Sequence, residues 1–249
     1  FFFTNPTIRL LVLKDIRTFR RDPVQWSQFL IFFGLLSLYF LSIRRLSYDL
    51  NSNYWRNLVS FLNLTVTALI LSTFTTRFVF PMVSLEGRNF WILGLLPLHR
   101  DHILWGKFAF AAGGALISSE LLVVLSDTML RLDWSMILLH TLIVLILCMG
   151  LAGISVGLGA CLPNLRQDDP SKIAAGFGGT LNLVLSLAYM AASILPFGVL
   201  YHYHTLGRIG TSTLNAGTAA ASAWLIVITL AATLLPLMAG RRRLMGRDY

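Results

Sequence analysis

The amino-acid sequence predicts an all-α polytopic membrane protein. It would have six transmembrane helices, an N-terminal amphipathic interfacial helix and a second amphipathic element between spans two and three. Of its 249 residues, 56% are hydrophobic and only 12% are charged, whereas soluble domains carry roughly 25% charged residues. The mean hydropathy is +0.71, and six apolar stretches reach the length of about 20 residues that a spanning helix needs. We therefore expect residues 1–249 to form a single transmembrane domain.

The strongly basic charge fits this class. A net charge of +9 would suggest nucleic-acid binding in a soluble protein, but basic loops of membrane proteins more often face the anionic cytoplasmic leaflet. We therefore expect no nucleic-acid partner. The chain starts FFFTNPTIRL, without Met, and we interpret it as one part of a longer polypeptide.

The first predicted element is the basic segment at residues 1–22. In IRLLVLKDIRTFRRDPVQW the apolar residues recur at helical spacing and the basic residues fall largely on another face, which is typical of a helix lying in the membrane interface. Asp22 and Pro23 predict a cap and a first-turn proline for the next helix. The alternative is a basic flank that only sets membrane topology.

The six apolar stretches follow this segment. They cover residues 24–43, 58–83, 108–130, 134–162, 173–200 and 216–238. Pro81 interrupts the second stretch near its end, and Gly240 follows the sixth, as expected at helix ends. We expect Asp168 or Asp169 to cap the fifth helix.

The distribution of Lys and Arg predicts the orientation, because basic residues near helix ends are retained in the cytoplasm. With the N-terminus inside, fifteen of the twenty Lys and Arg residues lie on the cytoplasmic side. This count assumes that Arg77 reaches the cytoplasmic interface, and the adjacent Arg44 and Arg45 are an exception. We therefore expect a multi-pass protein of the cell inner (cytoplasmic) membrane with both termini in the cytoplasm.

The most informative connection is the segment 84–107, which joins spans two and three and which we call the elbow. It is too apolar for a solvated linker and too interrupted by charge for a span. We expect a short helix over about residues 85–96, a polar turn after Pro97, and a second helix that Asp101 caps and that leads into the third span. Its charged residues and histidines are Glu86, Arg88, His99, Arg100, Asp101, His102 and Lys107.

Two motifs resemble those of one family. EGRNFWILGLLPLHRDHILWGKF resembles the intracellular coupling element of ABC-2 type exporter permeases, in which an acidic residue and Gly, an apolar run, a Pro, a basic turn and Gly-Lys lie between the second and third of six helices. LKDIRTFRRDP resembles the connecting helix of the same family. The two motifs and the six-helix hydropathy cover nearly the whole chain.

This resemblance implies a transmembrane subunit that works as a pair and docks two ATP-binding subunits at its elbows. Its partners would be an ABC ATPase, a second permease copy or homologous half, membrane lipid and an unidentified exported substrate. The docking surface would comprise Glu86, Gly87, Arg88, Pro97, His99, Arg100 and Asp101. The connecting helix would contain Lys14, Asp15, Arg20, Asp22 and Pro23.

The sequence holds no ATP-binding signature of its own. Gly106 and Lys107 lack the earlier glycine of a phosphate-binding loop and the Ser or Thr that follows its lysine. We therefore expect no resident cofactor and no enzymatic activity, with ATP and Mg²⁺ bound by a partner subunit. No catalytic set stands out, and the two closely spaced histidine pairs lack the further ligands of a strong metal site.

Polar residues within the predicted spans are the remaining candidates. Glu120 is costly in hydrocarbon, and three interpretations stay open: a place on the translocation path, a hydrogen bond with Ser or Thr of the second span, or a shallow position near the outer interface. Asn63 and Thr67 in the second span either line the path or stabilise helix packing. His140 is most simply a hydrogen-bonded packing residue, and Gly157 favours close helix contact.

Two other functions stay open. A structural or assembly subunit would share the hydropathy but would need no elbow of defined geometry. An intramembrane enzyme acting on lipid would place clustered carboxylates, histidines or a metal set at one depth of the membrane.

Overall fold

The computed structural model describes residues 6–21, 53–89, 100–165, 167 and 169–245, together with isolated positions between 23 and 38. This part of the chain contains α-helices and shorter helical turns but no β-strand, which confirms the predicted all-α class. The predicted first span lies outside the described residues except at isolated positions, and elbow residues 90–99 lie outside them entirely.

Seven α-helices make up most of the described chain. They are α1 (Pro6–Arg21), α2 (Asn53–Phe74), α3 (Arg100–Met129), α4 (Trp134–Cys161), α5 (Pro170–Ala175), α6 (Phe177–Thr205) and α7 (Thr211–Met245). After α2 the chain continues through a π-helical turn at Thr75–Val79 and 3-10 turns at Phe80–Met82 and Ser84–Asn89. Predicted spans two to six are therefore helical over most of their length, although Gly176 interrupts the fifth.

Five helical segments are long and apolar enough to cross a membrane. They are Asn57–Glu86, Asp101–Met129, Trp134–Cys161, Phe177–Thr205 and Thr211–Arg243. Each exposes large apolar side chains, among them Ile117 at 73% and Leu235 at 66%. Outward-facing apolar side chains suit a lipid environment, in which the helices satisfy their own backbone hydrogen bonds. The chain is thus a membrane protein.

Helix α4 forms the centre of the bundle. In its most apolar stretch 61% of the residues are buried, against 22% in α7. It packs against α7, α3 and α6, and its Leu147 and Leu151 are almost completely buried.

Small residues let α4 and α7 approach closely. A Cβ atom on Gly157 would lie 2.4 Å from the carbonyl carbon of Pro236, so the backbones touch there, as the sequence predicts. The expectation that Gly240 follows the last helix is wrong, because α7 continues to Met245. A Cβ atom on Gly240 would lie 2.8 Å from Cβ of Ala160, so this glycine serves the same helix contact.

The start of two helices differs in part from expectation. Asp169 caps α5, since its Oδ1 accepts a hydrogen bond from the backbone N–H of Ser171 at 2.9 Å, and Gly176 separates α5 from α6. Asp101 was expected to cap a second elbow helix, but it lies in the first turn of α3. Helix α3 runs unbroken from Arg100 into the span, so there is no separate second elbow helix for Asp101 to cap.

Side-chain contacts join neighbouring helices at each of the two ends of the bundle. At one end Asn57 Nδ2 donates to Thr205 Oγ1 at 3.2 Å, which joins the start of α2 to the end of α6. At the opposite end α1, the turn Ser84–Asn89, the first turns of α3 and the last turns of α7 are joined by ion pairs. We call this second end the charged end.

Candidate functional site

Four charged side chains from three segments meet at the charged end. Lys14 and Asp15 lie on α1, Glu86 lies in the turn Ser84–Asn89, and Lys107 lies in the second turn of α3. The amines of Lys14 and Lys107 both donate to Glu86 Oε1, at 2.5 and 2.7 Å. They also lie 3.5 and 3.8 Å from Asp15 Oδ1. We call these four residues the charge cluster.

The charge cluster is largely shielded from solvent. The exposed fractions of the Lys107, Asp15 and Glu86 side chains are 4%, 8% and 15%, and only Lys14 reaches 40%. Two cations balance two carboxylates, so the burial leaves no net charge. Because removing one partner from such a site leaves an uncompensated buried charge, the cluster fixes the three segments relative to one another.

Lys14 keeps its positive charge despite its partial burial. Desolvation lowers the pKa of Lys14, but the hydrogen bond to Glu86 and the negative charges of Glu86 and Asp15 outweigh it, so the pKa is raised. The ammonium form therefore persists at neutral pH, and its bond to Glu86 with it.

The amphipathic pattern of α1 explains how Asp15 enters the cluster. Leu11, Val12 and Asp15 are buried, whereas the basic residues Arg9, Arg17, Arg20 and Arg21 are exposed. A Cβ atom on Gly106 would lie 3.0 Å from Cβ of Leu11, so α1 packs closely on the start of α3. Leu11 and Val12 of the predicted apolar face are thus buried on the protein, whereas Ile16 is 41% exposed.

Further contacts join α7 and the loop after α4 to the same end. Arg241 Nη2 lies 2.7 Å from Asp101 Oδ2, and the Arg243 guanidinium donates to the carbonyl of Cys161. The backbone N–H of Asn164 donates to Ser84 Oγ at 3.0 Å. Both flanks of the elbow are therefore tied to neighbouring elements.

The chain matches one family of known proteins along nearly its whole length. A family model described as "Putative ATP-binding cassette" matches residues 1–248. The chain belongs to this family. No curated protein and no solved structure is significantly similar to it.

Membership of the ATP-binding cassette family and the five membrane-length helices together support a transmembrane component of an ABC transporter. The family description mentions ATP binding, but the sequence lacks the G-x-x-x-x-G-K-[ST] loop that cradles nucleotide phosphates. In this family member the charged end is the candidate functional site.

The structure brings together only some of the predicted docking and connecting-helix residues. Glu86 joins Lys14 and Asp15 in the charge cluster, Asp101 pairs with Arg241, and Arg20 is exposed. Pro23 is an exposed isolated position. Gly87 and Arg88 lie in a 3-10 turn and Arg100 begins α3, but the side chains of Arg88 and Arg100 lie outside the described part. Asp22, Pro97 and His99 lie outside it altogether.

Sequence reasoning did not assign two residues that the structure places in this site. Lys107 belonged to the Gly-Lys of the elbow motif, and Arg241 was counted only for topology. A signal for Lys107 was available, because it stands at the edge of a long apolar stretch that contains no other Lys or Arg before Arg131. The sequence held no comparable signal for Arg241, since nothing distinguishes it from the two arginines that follow it.

The polar residues of the second span hydrogen-bond within the bundle. Asn63 Nδ2 donates to Ser126 Oγ of α3 at 2.8 Å, and Thr67 Oγ1 donates to the backbone carbonyl of Asn63 at 2.9 Å. Both side chains are buried. These contacts favour the packing interpretation for Asn63 and Thr67.

The ionisable residues of α3 and α4 differ in how they are satisfied. His140 Nδ1 lies 2.8 Å from Asp127 Oδ2, and their side chains are 0% and 2% exposed, so His140 has the hydrogen-bonded packing role that the sequence predicts. Both carboxylate oxygens of Glu120 are buried without a hydrogen-bond partner in the described part of the chain. The alternative of a bond from Glu120 to the second span is wrong.

Asn182, which the sequence did not single out, joins three helical segments near the π-helical turn. Its Nδ2 donates to Thr76 Oγ1 at 2.8 Å and to Ser155 Oγ at 3.1 Å. π-helical turns inside longer helices occur frequently at functional sites. This turn lies within the second span, between α2 and the charged end.

Proposed function

We propose that the chain is the permease subunit of an ATP-driven ABC exporter of the ABC-2 type. It would move a substrate across the cell inner membrane, with the charged end and both termini in the cytoplasm. A second permease copy or a homologous half would complete the pathway. Separate ATPase subunits would bind ATP and Mg²⁺, so the permease itself would be no enzyme.

The observation that carries this proposal is the anchoring of both elbow flanks by ion pairs. Glu86 before residues 90–99 is held by Lys14 and Lys107, and Asp101 after them is held by Arg241. A soluble motor can drive a membrane domain only through an element that passes displacement to the helices. The family membership and the membrane-length helices supply the wider context.

The ion pairs suggest how motion would spread. Displacement of the elbow would pass through Glu86 to α1 and α3 and through Asp101 to α7. Packed helices move as rigid units with a few discrete arrangements, so two permeases could rock between inward-open and outward-open states. ATP would favour one state only if the closed ATPases bind that state more tightly.

The two alternatives receive less support. A structural or assembly subunit would use the ion pairs at both elbow flanks only to stabilise its fold, and it requires no elbow that passes displacement to the helices. A lipid-modifying enzyme requires accessible catalytic groups, but His140 and Asp127 are buried against each other. The described residues also hold no group of three or more potential metal ligands among His, Cys, Asp and Glu.

The test is co-purification of the tagged chain with its candidate ATPase in detergent. The wild type is compared with the double variant Arg100→Glu, Asp101→Lys, which reverses charge on the elbow. Because Asp101 also binds Arg241, the matched control is Arg241→Gln, which removes the same ion pair from the side of α7. All proteins are checked for equal yield and for the same gel-filtration profile.

We expect the wild type and Arg241→Gln to retain the ATPase and the double variant to lose it. Loss in both variants would assign binding to the helix arrangement that the ion pair maintains. Equal binding by the double variant, or no binding by the wild type, would contradict the exporter proposal and favour a structural subunit.

A further inference from the structure

An apolar cleft of about 510 Å³ opens beside the charge cluster. It lies between α1, the end of the second span and α3. Its apolar walls include Phe19, Phe74, Phe78, Phe110 and Ile117, and its charged rim contains Lys14, Asp15, Glu86 and Lys107. One end of the cleft is therefore ionic and the remainder is apolar.

A second, cationic groove of about 310 Å³ runs along α1 and meets the cleft. It is lined by Leu10, Leu13, Lys14, Arg17, Thr18 and Arg21. Lys14 and Thr18 line both spaces, so the cleft and the groove are neighbours. Lys14 is neutralised by Glu86, but no carboxylate of the described residues pairs with Arg17 or Arg21.

We propose that the cleft and the groove together bind one anionic phospholipid. Its phosphate would lie at Arg17 and Arg21, and an acyl chain would follow the aromatic wall of the cleft. Charge complementarity selects the headgroup, because two arginines without a carboxylate partner among the described residues attract anionic lipid at a membrane surface. The apolar wall selects the acyl chain, since buried methylene groups contribute favourably to binding.

The depth of the cleft fits one leaflet. From Lys107 at the rim to Ile117 on the wall, α3 advances ten residues, which is about 15 Å of helix rise. The hydrocarbon core of a bilayer is about 30 Å thick, so the cleft spans half of it. A single acyl chain reaches that depth, whereas a short soluble ligand would leave the aromatic wall empty.

This inference is independent of the exporter proposal, because it concerns a resident lipid and not the transported substrate. The lipid would pack against Phe78 of the π-helical turn and lie beside the charge cluster. Bound lipid would therefore stabilise the arrangement of α1, the second span and α3.

Two glycines on α3 provide a matched pair of variants. Gly114 lines the cleft and Gly113 does not, and a Cβ atom on either would meet no heavy atom within 4 Å. Gly114→Leu thus adds an apolar side chain to the cleft with free space for its Cβ, and Gly113→Leu adds the same side chain outside it. For the headgroup, Arg17→Gln, Arg21→Gln removes two charges from the groove, and Arg9→Gln, Arg20→Gln removes two exposed charges elsewhere on α1.

The measurement is native mass spectrometry of the delipidated protein after incubation with micelles that contain phosphatidylglycerol or phosphatidylcholine. We expect the wild type to retain one phosphatidylglycerol, Gly114→Leu to lose it and Gly113→Leu to keep it. Each groove arginine removed should weaken retention about fivefold, the equivalent of about 1 kcal/mol per charge. The Arg9 and Arg20 variant should retain lipid like the wild type.

Several results would overturn the proposal. Equal retention of phosphatidylcholine would remove the role of the arginines, and retention by Gly114→Leu would place the lipid elsewhere. Unchanged lipid binding with an altered oligomeric state in Gly114→Leu would instead show that a second copy of this chain covers the cleft.

Discussion

Lys107 Nζ lies 2.7 Å from Glu86 Oε1, and this contact joins two residues that are 21 positions apart in sequence. Glu86 closes the second span and Lys107 lies in the second turn of α3. One hydrogen-bonded ion pair therefore holds together the two chain segments that enter and leave residues 90–99. Lys14 reinforces it from α1.

Removal of the Lys107 ammonium should destabilise the fold. In Lys107→Met, Glu86 keeps Lys14 alone, and the side chain of Asp15, only 8% exposed, loses one of its two cations. Breaking a buried ion pair on one side costs about 3 kcal/mol, which corresponds to a fall of roughly 6–12 °C in Tm. Thermal unfolding in detergent measures this fall.

Lys172→Met is the control for Lys107→Met. Lys172 is exposed on α5 and forms no ion pair with the described residues, so its loss should change stability by less than about 0.5 kcal/mol. Equal shifts for the two variants would show that the charge cluster does not stabilise the fold.

The raised pKa of Lys14 predicts how its contribution depends on pH. A lysine whose folded pKa lies above its unfolded value stabilises the protein at every pH below the unfolded pKa, and the effect is lost as pH rises through the folded pKa. The ordinary value is 10.5. The Tm difference between wild type and Lys14→Met should therefore be constant from neutral pH to about pH 10 and shrink above it. A difference that declines between pH 7 and pH 9 would contradict the raised pKa.

Hydropathy and helical periodicity predicted much of this fold, because both depend on local sequence. The apolar stretch 134–162 became α4 at Trp134–Cys161, and the apolar stripe of residues 11 and 12 became the buried face of α1. Asp169 acts as a cap because capping needs only residues two or three positions away. The prediction that Gly240 follows the last helix was wrong, because a single sequence does not distinguish a glycine that ends a helix from one that allows a neighbouring helix to approach.

The candidate site was predicted only in part, because its geometry depends on long-range contacts. The sequence marked Lys14, Asp15 and Glu86 through two separate motifs. Nothing local showed that Lys14 and Glu86, which are 72 positions apart, form a hydrogen bond with each other. Arg241 could be paired with Asp101 only once α7 was placed beside α3. Composition fixed which charges lie near the membrane, and tertiary packing fixed which of them meet.

The contact between α4 and α7 should tolerate no side chain at Gly157. In Gly157→Ala the added Cβ would lie 2.4 Å from the carbonyl carbon and 2.6 Å from the carbonyl oxygen of Pro236, so the two backbones must separate. Overpacking of this kind costs about 1–3 kcal/mol, and thermal unfolding should record a lower Tm. Gly113→Ala, whose new Cβ meets nothing within 4 Å, is the control and should lose no stability. The close contact is dispensable if both variants unfold at the wild-type temperature.

Two carboxylates on α3 should respond in opposite ways to the same substitution. Asp127 is bonded to His140, so Asp127→Leu should lower Tm by leaving the buried imidazole unpaired. Both carboxylate oxygens of Glu120 are buried without a hydrogen-bond partner in the described part of the chain. Glu120→Leu removes this penalty and should raise stability by about 1–3 kcal/mol.

ATPase activity of the reconstituted complex then decides between the interpretations of Glu120. A carboxylate that is retained at a cost to stability is expected to serve function, so a more stable Glu120→Leu protein with reduced activity would support a place on the translocation path. A more stable protein with full activity would leave Glu120 without a role in transport. A fall in Tm would show instead that Glu120 has a stabilising partner, such as a second copy of the chain.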